Sequence, residues 1–203
     1  EIERGEGRRV WDSQGNAYVA DEWLNRISIF TKDGDWIGKW GTPGTGDGEI
    51  NRPSGLAFGA DDHLYMVDSR NDRIQVFTKE GKFIKSFGKF GTGPGEFRGP
   101  HDIAMDADGR LFVADRGNMR IQILDQDGKY LGEWKQFSRP SGVYIRNDLI
   151  YVTDSESNGV APHPGWKRGI RIGTTKDGKV LYRIPDPLEL KGTRAPKAWQ
   201  WTQ

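Results

Sequence analysis

Apolar positions in this chain come in short runs of four or five, never in long ones. One unit shows the pattern clearly. Gly55–Phe58, Leu64–Val67, Arg73–Phe77 and Phe83–Phe87 are each rich in β-branched or aromatic residues. Turn chemistry separates them: Asp61-Asp62, then Lys79-Glu80-Gly81, then Gly91-Thr92-Gly93-Pro94-Gly95. Runs of this length with these boundaries predict β-strands. Asp108-Gly109 and Asp127-Gly128 are hairpin signals in the next unit. No stretch sustains a helical period.

The unit repeats. Leu64-Tyr65-Met66-Val67-Asp68 becomes Leu111-Phe112-Val113-Ala114-Asp115, and Ala17-Tyr18-Val19-Ala20-Asp21 precedes both. Asp21, Asp68 and Asp115 stand 47 residues apart, and a fourth copy beginning at Arg139 reaches Asp154 after only 39. That copy then departs through an insertion. Four antiparallel strands in 40–50 residues is the arithmetic of a β-propeller blade. The chain therefore reads as one all-β unit over 1–195, with blades at about 7–51, 52–98, 99–138 and 139–195.

Length then changes the picture. Six such blades call for roughly 280 residues, whereas this chain has 203. The expectation is an incomplete arc of a six-bladed propeller. Residues 196–203 match no blade start. Read from the third base of each codon, Lys197–Gln203 gives small–apolar–Ala–apolar–Asp at every synonymous choice, like Ile103–Ala107. The tail is thus expected to be a frameshifted reading of the next blade's first strand, which the nucleotide sequence would test. An open arc would expose strand edges, so edge-to-edge self-association is expected.

Composition narrows the function classes. Lys and Arg number 30 against 29 Asp and Glu, so no strongly basic field points to nucleic acid. There is no cysteine, which removes disulfides, thiolate metal sites and a Cys nucleophile. No apolar run approaches the roughly 20 residues that cross a bilayer. The charged residues Glu1–Arg9 are no signal peptide, and the compartment stays open.

The Arg-Ile-Gln-Val/Ile runs, the repeated Val-x-Asp and the Gly-Thr-Gly-x-Gly-Glu loops resemble NHL repeats, which form propellers, commonly of six blades. Each repeated Asp is read as binding loop amides or its own Arg (Arg26, Arg73, Arg120). Gly34, Gly81 and Gly128 are read as turn residues of positive φ. Trp11, Trp36, Trp40 and Trp134 are read as core or inter-blade packing.

Strand alternation puts the inter-blade loops and the loops after each Asp on one face, with the tight turns on the other. The longer, more variable loops make that first face the expected binding face. Residues that depart from the repeat there are the candidates: His101 where the other blades have Ser54 and Ser141, Arg116, Arg70, Asp102, and the insertion residues His163, Trp166 and Arg168. Trp23 and Trp166 are placed to stack a ligand ring.

Gly99-Pro100-His101-Asp102 and Phe112-Val113-Ala114-Asp115-Arg116 also resemble the peptidyl-hydroxyglycine amidating lyase family. That resemblance implies a zinc ligand at His101, a carboxylate-binding role for Arg116, and zinc-assisted cleavage of a carbon–nitrogen bond. His163 is a candidate substitute ligand. The family's other positions hold Gly7 and Arg70 here. Three functions remain in order. A scaffold binds a protein, peptide or small molecule on the loop face. A zinc-dependent lyase is the alternative. An RNA-binding propeller comes last.

Overall fold

The computed structural model describes residues 9–158, 161 and 163–190. Gly7 and the tail at 196–203 lie outside the described residues. Four sheets form, each of four antiparallel strands in sequence order. Blade one holds β1 (Arg9–Trp11), β2 (Ala17–Asp21), β3 (Arg26–Phe30) and β4 (Trp36–Trp40). A short parallel pair, β5 (Thr42–Pro43) and β6 (Glu49–Ile50), leads to blade two. Blade two holds β7 (Pro53–Phe58), β8 (Leu64–Asp68), β9 (Arg73–Phe77) and β10 (Phe83–Phe87). Blade three holds β11 (Asp102–Met105), β12 (Leu111–Asp115), β13 (Arg120–Leu124) and β14 (Tyr130–Trp134). Blade four holds β15 (Gly142–Arg146), β16 (Leu149–Asp154), β17 (Gly169–Thr174) and β18 (Val180–Pro185). The only helical segments among the described residues are 3-10 turns, at Ser69–Asn71, Arg116–Asn118 and Pro187–Leu190. No helix among them is long and apolar enough to cross a membrane.

Each blade packs on the next through its first strand, β1 and β2 on β7, β7 on β11, and β11 on β15. The core is accordingly three inter-blade layers rather than one centre. Alternation along each strand sends one row of side chains forward and one backward. Blade two's row Phe58–Leu64–Phe77–Phe83 turns toward blade one, with Phe58 edge-on to Tyr18 at 5.0 Å and Phe77 at 4.9 Å from Trp40. Strand alternation is the reason both faces of a middle blade are apolar.

A second device recurs on the tight-turn side. In blades two, three and four the glycine of the outer hairpin lies under an aromatic of the preceding blade: Gly81 under Trp40, Gly128 under Phe87, Gly178 under Trp134. Trp40 and Trp134 thus pack between blades. Trp11 and Trp36 do not: they are 52% and 53% exposed, a correction to the sequence expectation. They sit in the row Trp11–Ala17–Phe30–Trp36, on the face of blade one turned away from blade two.

Candidate functional site

A repeated hydrogen-bond cage sets the loop face. In blade two the buried Asp68 accepts from the Asn51 amide at 2.7 Å, Asn71 Nδ2 at 2.8 Å, Arg73 Nε at 2.8 Å and Gln75 Nε2 at 3.0 Å. In blade three, Asp115 accepts from the Arg98 amide at 2.9 Å, Asn118 Nδ2 at 2.9 Å, Arg120 Nε at 2.8 Å and Gln122 Nε2 at 3.1 Å. The same Arg and Gln donate onward to loop carbonyls, Arg73 to Gly46 and Glu49, Arg120 to Gly93 and Glu96. Glu49 and Glu96 close the glycine loops by accepting from Thr45, Gly46, Thr92 and Gly93 amides. In blades two and three the buried Asp and the Asn, Arg and Gln side chains around it are thus all hydrogen-bonded. The Asp, Asn, Arg and Gln positions are framework, and the residues between them are free to differ.

The differing residues form an open cleft of about 470 Å³ between blades one and two, lined by Glu22, Trp23, Asn25, Asn51, Arg52 and Arg70. Trp23 is 69% exposed, with the Arg52 guanidinium 4.4 Å from its ring centroid. Arg52 Nε stands 3.6 Å from Glu22 Oε1. Arg70 is exposed beside them, on the 3-10 turn whose Ser69 and Arg70 amides donate to the Arg52 and Asn51 carbonyls. Arg52 adopts a left-handed φ of 56°, the conformation that Gly99 takes in blade three at 53°. Asn25 Oδ1 holds it there by accepting its amide at 2.7 Å, as Asp72 does for Gly99 at 2.6 Å. Burial raises the Asp72 carboxyl above its usual range, against the Gly99 hydrogen bond.

A second cluster joins blades three and four. Glu156 accepts from Arg116 Nη1 at 3.0 Å and from Arg139 Nε at 2.6 Å. Burial opposes its charge, but the Arg139 hydrogen bond and the two guanidinium charges prevail and hold its carboxyl below the usual range. His101 Nδ1 lies 2.8 Å from the Ser141 carbonyl oxygen. A carbonyl only accepts, so Nδ1 carries a proton. Arg116 therefore meets a carboxylate, but one of this chain.

The remaining candidates hold the fold. Asp102 is 5% exposed and accepts the Val143 amide at 2.7 Å, tying blade three to blade four. Trp166 lies under Arg171 at 5.0 Å and beside His163 at 6.3 Å. Arg168 pairs with Asp186 at 2.9 Å. His163 Nδ1 is buried and meets no hydrogen-bond partner among the described residues. No three His, Asp or Glu side chains converge on one point among them either, so these residues do not complete the zinc triad.

Subtracting the repeat picks out Arg70, but it passes over Arg52 and Asn51. The signal for Arg52 is the residue before each blade-opening proline: Arg52, Gly99 and Arg139.

A family model described as 6-bladed beta-propeller matches residues 50–159. Virginiamycin B lyase from Staphylococcus aureus superposes with a TM-score of 0.62 at 21% identity, over 88% of this chain and 54% of that one. A nidogen–laminin complex gives 0.66 at 17%, over 86% and 61%. A luciferin-regenerating enzyme gives 0.62 at 17%, over 88% and 64%. The chain spans about half the length of the lyase, and at these identities the likeness is one of fold. No curated protein sequence matches it.

Proposed function

The chain belongs to the 6-bladed beta-propeller family, and from that premise we propose that it is a recognition scaffold whose loop face binds a protein, peptide or small molecule. One observation carries this reading: the open cleft between blades one and two is walled by residues that the repeat does not need. A repeat that conserves its cage while varying the loop tips beside it is built to present those tips. Ligand-observed NMR with a library of small polar fragments tests it. Fragments that bind the wild type should lose binding in Trp23→Ala and Arg70→Ala. A fragment profile identical in wild type and both variants would count against the loop face.

A second reading is a zinc-dependent lyase of the amidating type. It is favoured by His101, which its Nδ1 hydrogen bond to the Ser141 carbonyl oxygen holds in a fixed orientation, and by Arg116 in the same blade. The further ligands it requires would come from outside the described residues. Metal analysis decides: stoichiometric zinc lost in His101→Ala supports it, and metal-free protein in both cases removes it. An NHL-type RNA-binding role ranks third. Glu22, Glu156 and Asp186 stand among Arg52, Arg116, Arg139 and Arg168, and this interspersed charge leaves no continuous basic stripe for a phosphate backbone.

A further inference from the structure

We propose that the cleft between blades one and two takes a ring-bearing carboxylate, its ring on Trp23 and its carboxylate on Arg52 and Arg70. This rests on the loop-face reading and names the ligand class of that site. Two guanidinium groups border the cleft, and neither donates a hydrogen bond to a carboxylate of the described residues. Arg52 reaches Glu22 only at 3.6 Å, beyond hydrogen-bond distance. Arg70 is exposed and acts on the Asp72 carboxylate at a distance, without closing a hydrogen bond on it. Their planar N–H forks match a carboxylate edge. One face of the indole is occupied by Arg52, and the side chain is still 69% exposed, so a ring has area to stack on.

The backbone gives an independent pointer. A non-glycine residue in the left-handed region is strained, and the same position is glycine in blade three. Blade two therefore keeps a long cationic side chain where its neighbour relieves the strain. Strain retained beside an open cleft is a mark of a working site.

Charge limits the valence of the ligand. Arg52 and Arg70 line the cleft with Glu22, and the Asp72 carboxylate acts on Arg70 from beside it. A monoanion fits this near-balanced wall, whereas a phosphate dianion would face both carboxylates. The ring leaves two sources open, an aromatic acid or an acidic sugar. Both offer a flat or gently puckered apolar face to indole, and both carry one carboxylate.

Calorimetric titration of the full chain with sodium benzoate, galacturonate, benzamide and galactose tests the proposal. At least one acid should bind ten times more tightly than its neutral analogue, and whichever does so identifies the source. Arg70→Gln should weaken that acid at least fivefold without changing the far-UV spectrum. Glu22→Gln should tighten it severalfold by removing the competing carboxylate. Equal binding of acid and neutral analogue overturns the proposal, as does an unchanged affinity in Arg70→Gln. If neither acid binds while other fragments are lost in Trp23→Ala, the ligand class is wrong and the loop-face reading stands. If no binding of any kind responds to Trp23→Ala or Arg70→Ala, both fall.

Discussion

Asp115 and Asp21 occupy the same place in the repeat but not the same environment. Asp115 and its partner Arg120 have side chains 0% and 5% exposed, while Asp21 and Arg26 are 27% and 29% exposed and 3.3 Å apart. Asp115→Asn leaves the buried Arg120 with Glu133 as its remaining carboxylate partner and breaks the centre of the cage, and it should cost about 3 kcal/mol in urea unfolding. Asp21→Asn should cost about 1 kcal/mol or less. Equal effects would show that the cage does not depend on burial. Glu156 gives a pH prediction. Its folded carboxyl titrates below the unfolded value of about 4.3. Its contribution is therefore full above that value and is lost as pH falls through the folded one. Between pH 7 and pH 3 the denaturant midpoint of the wild type should fall more than that of Glu156→Gln. Parallel curves would remove Glu156 as a source of acid sensitivity.

The outer hairpins let one substitution be read in three contexts. Gly34, Gly81 and Gly128 all hold positive φ, at 92°, 88° and 83°. A Cβ at Gly34 meets nothing within 4 Å, while at Gly81 and Gly128 it meets Trp40 and Phe87 ring carbons at 2.4 Å. Gly34→Ala should cost only the backbone term, about 1–2 kcal/mol. Gly81→Ala and Gly128→Ala should cost about 1–3 kcal/mol more, because the ring of the preceding blade must move. Thermal unfolding of the three variants checks the order, and a cost at Gly34 matching the other two would refute the aromatic lid. The strands themselves were legible in the sequence, since β9 and β10 lie where the apolar runs predict them. The lids were not, because Gly and its aromatic are about 40 residues apart and meet only across a blade boundary.

Across the whole molecule, equivalent residues differ according to which blade covers them. Tyr65 in blade two is 2% exposed, and burial pushes its hydroxyl up to about 12. The matching row of blade four, Tyr144–Tyr151–Ile172–Tyr182, is open, with Tyr144 at 60% and Tyr182 at 67% exposed. Tyr65→Ala should destabilise by about 3–5 kcal/mol, whereas Tyr182→Ala should fall within about 0.5 kcal/mol of wild type. Chemical denaturation of both reports whether blade contacts dominate stability. The candidate site divides in the same way. Arg70 stands out in one dimension because it breaks the repeat, whereas Arg52 acquires meaning only beside Trp23 and Glu22.

By itself the sequence determined the strand pattern, the repeat, the blade count among these residues and the face that carries the variable loops. All of these follow from local periodicity and turn chemistry, which act over a few residues. The tertiary structure decided which aromatics are covered, which Asp is buried and which arginines meet a carboxylate at hydrogen-bond distance. Those properties depend on what the next blade places against each residue, and that neighbour lies tens of residues away along the chain.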